Sequence, residues 1–227
     1  PNIGSGYQPL YPIILSISYF FRDMTIVYPI MKFINSLISS LIIFPAWFIA
    51  KEFFDKKDAL KLAILVSLIS PIFAFAPLIM SENLYFPLFL LSSYFIYRSF
   101  VTPSYRWDIL AGIFIGISIA SRILSIALVA GLFGLLIFDY FHKDHSKQFK
   151  RKCVLFIFTF IFISPLIIEN LLTFGFSFSG LLGRYSGDAG ASLNEGYPFT
   201  RIIPRILINF GYTTIALLII YVLSSLT

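Results

Sequence analysis

The sequence predicts an all-α fold, a bundle of about seven transmembrane helices with one short interfacial helix, because its apolar residues form runs of membrane-spanning length. Hydrophobic residues make up 58% and charged residues 12% of the 227-residue chain, and the mean hydropathy is +0.88. Soluble domains carry about 25% charged residues. The basic residues fall between the apolar runs, so the net charge of +6 reflects membrane topology and does not indicate a nucleic-acid partner.

Each candidate span is an apolar run close to the roughly 20 residues that a helix needs to cross the hydrocarbon core. The fourth is shorter and is predicted to run into the fifth through a tight connection at Arg122. An earlier run, Leu10–Phe21, is too short to span and begins with turn-forming Gln-Pro and Tyr-Pro pairs, which predicts a short interfacial helix. The candidate spans are Ile26–Ala50, Ala59–Leu78, Leu84–Val101, Trp107–Ala120, Ile123–Phe141, Cys153–Thr173 and Ile206–Leu226.

The connections between these runs alternate in charge. Lys51–Lys61, Arg98–Arg106 and His142–Lys152 are basic and lie on one side of the predicted bundle, which the positive-inside rule makes cytoplasmic. The opposite, outer side carries Glu82 and a Gly- and Ser-rich extracytoplasmic loop over residues 174–205. A loop of that length is usually functional or disordered.

The chain is predicted to be a single membrane domain over residues 1–227. It begins at Pro1 without Met and ends at Thr227 on an apolar run, which indicates a fragment of a longer protein. The high content of Phe, Ile and Lys favours an AT-rich prokaryotic genome, and therefore a multi-pass protein of a prokaryotic cytoplasmic membrane.

Glu82 is the most informative polar residue, because it lies with Asn83 between two long apolar runs in LIMSENLYF. One interpretation is a solvated turn residue at the membrane boundary. The other is an acid that faces a cavity at the outer surface. Pro71, Pro77 and Pro87 favour the cavity, since they are expected to break both flanking helices, and broken helices at membrane depth line protein or water.

Two cations are predicted near the same outer face. Lys32 lies one turn before Asn35 on one face of the first span, where lysine either snorkels to the headgroups or binds phosphate. Arg122 lies between two short spans, where its planar guanidinium suits phosphate oxygens or pairs with Glu82. No Cys/His metal spacing, Gly-rich phosphate loop or Ser/His/Asp set accompanies them.

Four segments in this order resemble the C-type glycosyltransferases, multispan enzymes that use polyprenyl-phosphate-linked sugars and include dolichyl-phosphate-mannose protein mannosyltransferases and lipid A aminoarabinose transferases. They are GYQPLYPIILSISYFF, MKFINSL, LISPIFAFAPLIMSENLYFPLFL and LAGIFIGISIASRILSIALV. Gln8 and Lys32 stand where the family commonly has Pro and Arg. A fifth segment, SPLIIENLLTFGFSFSG, has Glu169 where the family usually has Arg.

The resemblance implies transfer of a hexose or pentose from a polyprenyl-phosphate donor to a lipid, glycan or protein at the outer face. It implies that Lys32 and Arg122 bind the donor phosphate and that Glu82 is a second acid. In members that need a divalent cation, Glu82 would hold the metal. Members of the family begin with one more span and an outer loop that carries the main catalytic base, so the resemblance implies that this span and loop would precede Pro1. The donor and acceptor cavity would be lined by Tyr7, Tyr11, Asn35 and Asn83.

Two other classes of protein stay open at this point. A lipid transporter or flippase would need a polar path through the membrane, whereas Lys and Arg lie mainly at span ends. A non-catalytic scaffold subunit would lack an outer acid in the segment before Pro1. The sequence does not indicate the sugar, the acceptor or the oligomeric state.

Overall fold

A computed structural model describes residues 8–68, 78–142 and 146–174, and these residues form helices and connections without any strand. All of them belong to one structural unit, Pro1–Leu182. The all-α prediction is confirmed. The candidate span Ile206–Leu226 and the loop 174–205, apart from Phe174, lie outside the described residues, and the single domain over 1–227 stays a prediction.

The first half of the described chain contains four α-helices and one 3-10 helix. Helix α1 (Leu10–Leu15) continues as a 3-10 helix, Ser16–Phe21. Asp23 then caps α2 (Met24–Ser40), because its Oδ1 accepts hydrogen bonds from Thr25 N (2.9 Å) and Thr25 Oγ1 (2.8 Å). Two further helices follow, α3 (Ile43–Ala50) and α4 (Lys56–Leu68).

The second half contains the helices that flank Glu82 and Arg122. These are α5 (Glu82–Val101), α6 (Tyr105–Ser121), α7 (Ile126–His142) and α8 (Ser146–Phe174), with a 3-10 turn, Ile123–Ser125, before α7. Helix α6 packs along both α5 and α8, and α2 packs on α5. Ile96, Ala111, Ile115 and Leu155 belong to the buried core that joins α5, α6 and α8.

Three helical stretches of the described chain are long and apolar enough to cross a membrane: Met24–Ala50, Glu82–Val101 and Arg151–Glu169. They coincide with the first, third and sixth predicted spans. The predicted interfacial helix coincides with the apolar stretch Leu10–Phe21. Helix α6 has 17 residues and extends beyond both ends of the fourth predicted span, Trp107–Ala120.

Pro87 corrects one expectation, that proline breaks the helix after Glu82. It lies inside α5, which continues unbroken to Val101. Its position in the second turn costs α5 only the hydrogen bond to the carbonyl of Asn83, so the helix tolerates it. Pro71 and Pro77 lie outside the described residues.

Two glycines let α6 and α8 approach closely. A Cβ atom on Gly112 would lie 2.8 Å from the Cβ of Phe158, and one on Gly116 would lie 3.1 Å from the carbonyl oxygen of Thr159. Small residues four apart allow this packing between membrane helices, where the hydrophobic effect gives little drive for association. The glycines therefore fix how α6 lies against its neighbours.

Candidate functional site at one end of the bundle

Arg122 marks the predicted tight connection, which the structure confirms. Helix α6 ends at Ser121, and Arg122 adopts an extended backbone (φ −156°, ψ 127°) before the 3-10 turn. Its amide donates to the carbonyl of Ser118 at 2.9 Å, and its carbonyl accepts from Ser125 N at 3.0 Å. Arg122 is therefore the single non-helical residue between α6 and the 3-10 turn.

Glu82 and Arg122 form an ion pair between a carboxylate oxygen of Glu82 and Nη1 of Arg122. Glu82 opens α5, where the positive end of the helix dipole favours a carboxylate. The two side chains are 17% and 20% exposed, so the pair is largely shielded but still accessible. The structure thus brings together two predicted site residues. Pairing with Glu82 was one of the two interpretations of Arg122, beside phosphate binding.

Three further predicted residues form a buried network beside this pair. Asn35 Oδ1 accepts hydrogen bonds from Tyr11 OH (2.7 Å) and Asn83 Nδ2 (3.0 Å). The Nδ2 atoms of Asn35 and Asn83 each lie 2.8 Å from the carbonyl oxygen of Leu78, to which they donate. The network joins α1, α2, the turn before α5, and the start of α5 itself.

The three side chains of this network are almost inaccessible: Tyr11 is 6%, Asn35 0% and Asn83 1% exposed. Burial, and to a smaller degree the carboxylate of Glu82, raises the pKa of Tyr11 to about 12. Tyr11 is therefore neutral at physiological pH and acts as a hydrogen-bond donor. That Tyr11, Asn35 and Asn83 line a donor and acceptor cavity stays a prediction.

Lys32 lies differently from Asn35. Asn35 is fully buried, whereas Lys32 is exposed and its Nζ lies 4.7 Å from the ring centroid of Tyr28. Three helical residues correspond to about 300° of rotation, so the two side chains diverge by about 60°. The expectation that they share one face is therefore only approximately met. Binding of a phosphate by Lys32 stays a prediction.

A second buried cluster, which the sequence analysis did not identify, lies at the other end of α5 and α6. Asp108 is 0% exposed, and its Oδ1 accepts from Ser99 Oγ at 2.5 Å and from Lys152 Nζ at 2.8 Å. Lys152 is 1% exposed and also donates to the Ser99 carbonyl at 3.1 Å. Asp108 itself could have indicated this cluster, because a carboxylate at the edge of an apolar run is expected to pair with a cation.

The same end holds another ion pair, in which Arg98 Nη1 lies 3.1 Å from both carboxylate oxygens of Glu52. Their side chains are 25% and 15% exposed, close to the values for Arg122 and Glu82. Seventeen residues of α5 separate Glu82 from Ser99, which is about 26 Å of helix. The Glu82–Arg122 pair therefore lies at the end opposite the basic connections, as predicted.

Tyr7 and the loop that follows Phe174 lie outside the described residues. Within residues 8–68, 78–142 and 146–174, no group of three or more His, Cys, Asp or Glu side chains could hold a metal ion. Metal binding by Glu82 stays a prediction.

The fold and the site define a membrane-embedded all-helical protein with a carboxylate–guanidinium pair at one end of its bundle. The family model of dolichyl-phosphate-mannose-protein mannosyltransferases matches residues 9–168, well over half of the chain, and the chain belongs to this family. It is a membrane glycosyltransferase of the C type, which confirms the resemblance. Neither the curated proteins nor the solved structures compared with it give a match.

Proposed function

We propose that the protein transfers a sugar from a polyprenyl-phosphate-linked donor to a lipid, glycan or protein acceptor at the outer face of a prokaryotic cytoplasmic membrane. The glycosyltransferase class follows from the family, and the family's name supports a lipid-linked donor. The outer face is supported by the separation of the Glu82–Arg122 pair from the basic end of the bundle.

Arg122 and Lys32 are the proposed partners of the donor phosphate. The bond between the sugar C1 and the phosphate oxygen breaks, and its electron pair leaves with the phosphate. The acceptor oxygen bonds to C1 and gives its proton to a carboxylate base. A guanidinium fixed at the membrane surface stabilises the charge that develops on the leaving phosphate.

Glu82 is the proposed acid of the site within this sequence. Its carboxylate is ion-paired with Arg122, and in this proposal it orients that cation and the sugar or acceptor hydroxyl. A charged partner held in a shielded site acts with little reorganisation during the reaction. The ion pair between Glu82 and Arg122, two residues proposed for one reaction, is the observation that carries this function.

The test is turnover by Glu82→Gln in the full-length protein, measured as release of dolichyl phosphate from dolichyl-phosphate mannose with membranes as acceptor. Loss of a group that acts in the transition state costs about 10²- to 10⁴-fold in rate. The matched control is Glu52→Gln, because Glu52 forms a similarly shielded ion pair with Arg98 at the other end of the bundle.

Turnover reduced at least about 100-fold in Glu82→Gln, with thermal unfolding like that of Glu52→Gln, supports the proposal. Equal turnover in the two variants removes Glu82 from the site. A wild-type protein that moves dolichyl phosphate across vesicle membranes without cleaving the donor favours a transporter.

A further inference from the structure

The start of α5 is held by side chains that do not belong to the Glu82–Arg122 pair. Asn83 follows Glu82 directly, and its amide bonds both Asn35 on α2 and the carbonyl of Leu78. Tyr11 reaches the same Asn35 oxygen from α1. Any displacement of these groups would therefore move the backbone that carries the carboxylate.

We propose that Tyr11, Asn35 and Asn83 are positioning residues, which fix the start of α5 so that Glu82 and Arg122 meet the donor in one geometry. This inference rests on the proposed function and assigns the three residues a role other than contact with substrate. Their polar groups bond one another and the Leu78 carbonyl.

Burial separates this role from a lining role. With Tyr11 at 6%, Asn35 at 0% and Asn83 at 1% exposure, a donor could reach their polar atoms only if the network opened. Opening would leave buried amide groups unsatisfied, which is costly. In contrast, a small shift of a catalytic group, about 1 Å, lowers rates by as much as about 100-fold.

Tyr11 is the most useful residue for a test, because one hydroxyl links the interfacial helix to the rest of the network. Its ring also packs in the buried cluster with Leu15, Ile38 and Leu84. Tyr11→Phe removes the hydrogen bond and keeps the ring. The matched control is Tyr19→Phe, since Tyr19 is 52% exposed on the adjoining 3-10 segment and forms no side-chain hydrogen bond within the described residues.

The kinetic test is release of dolichyl phosphate from dolichyl-phosphate mannose as its concentration is varied. Tyr11→Phe is expected to lower kcat about tenfold and to leave KM for the donor within about twofold, because a displaced catalytic group weakens the transition state more than binding. Tyr19→Phe is expected to match the wild type. A raised KM with unchanged kcat would mean that Tyr11 contacts the donor and would overturn the inference.

Amide hydrogen exchange gives a readout that does not depend on turnover. Tyr11→Phe is expected to accelerate exchange of the amides of residues 79–85, where the network holds the chain, and Tyr19→Phe is not. Unchanged exchange there contradicts the positioning role even if the wild type is inactive with this donor. Inactivity of the wild type with accelerated exchange in Tyr11→Phe contradicts the proposed function alone.

Discussion

Glu82 at the start of α5 and Arg122 after the end of α6 are paired across two antiparallel helices, with 17% and 20% of their side chains exposed. An ion pair of this kind is shielded from water and still reachable from the end of the bundle. Shielding strengthens the electrostatic interaction, and access allows a third charged group to take part.

Donor binding is predicted to depend on the charge of Glu82. The carboxylate and a donor phosphate are both anions that bind the guanidinium of Arg122, so they compete for it. Glu82→Gln is expected to bind dolichyl phosphate several-fold more tightly than the wild type, as measured by calorimetry in nanodiscs. Arg122→Gln is expected to bind it more weakly. Weaker binding by Glu82→Gln would show that the carboxylate assists the phosphate site.

The buried pair of Asp108 and Lys152 is predicted to be essential for stability. Asp108→Asn leaves the buried ammonium of Lys152 without a carboxylate, whereas Lys152→Met leaves Asp108 with only Arg151, whose Nε lies 3.7 Å from Oδ2. Each single substitution is expected to cost about 3–5 kcal/mol of unfolding free energy, because it breaks a buried ion pair. The double variant Asp108→Asn/Lys152→Met is expected to be more stable than the Asp108→Asn variant. Thermal unfolding in detergent measures all three.

The exposed pair of Asp58 and Lys61 provides the control for that series. Its side chains are 58% and 74% exposed, and the two charges lie 2.8 Å apart. Exposed pairs contribute at most about 1 kcal/mol, so Lys61→Met is expected to leave the unfolding temperature almost unchanged. Equal losses in Lys61→Met and Lys152→Met would contradict the account of the buried cluster.

Close packing of α6 on α8 predicts a sharp difference between glycines. Gly112→Ala introduces a Cβ 2.8 Å from the Cβ of Phe158 and is expected to destabilise the protein by about 1–3 kcal/mol. Gly131→Ala on α7 meets no atom within 4 Å and is expected to be neutral or stabilising by up to about 1 kcal/mol. The comparison uses thermal unfolding, and similar effects of both substitutions would contradict this packing.

The N-cap of α2 predicts a response to acid. The amide and hydroxyl of Thr25 hold the pKa of Asp23 below its ordinary value of 3.8. A lowered folded-state pKa contributes stability above pH 3.8, and this contribution is lost as the pH falls through the folded-state pKa. Asp23→Asn keeps a capping oxygen without the charge, so its stability is expected to fall less between pH 5 and pH 2. Parallel pH profiles of the two proteins would contradict this.

Most of the described helices were predictable from the positions of the hydrophobic runs in the sequence. The third predicted span, Leu84–Val101, begins two residues after α5 and ends at the same residue. The tight connection at Arg122 was predictable because the apolar run before it is short. These features depend on local sequence. The order of the predicted spans also put Arg122 and Glu82 at the same end of the bundle. The ion pair between them agrees with that order.

Partners distant in sequence were not predictable in the same way. Asp108 and Lys152 are 44 residues apart, and the sequence assigned Lys152 to a basic connection between spans and gave it no partner. Burial of Asn35 beside an exposed Lys32 depends on the exact rotation of α2, which a polar pair at helical spacing does not determine. The hydrogen bonds of Tyr11 likewise require knowledge of how α1 packs.

The Glu82–Arg122 pair is proposed to act in catalysis and to do more than hold α5 to α6. The most direct measurement is the charge-reversed double variant Glu82→Arg/Arg122→Glu, compared with each single reversal for thermal stability and for release of dolichyl phosphate. The double variant is expected to regain stability but to stay inactive, because the exchanged charges no longer present a guanidinium to the donor phosphate at this position. Recovery of both stability and turnover would show that the pair is only structural.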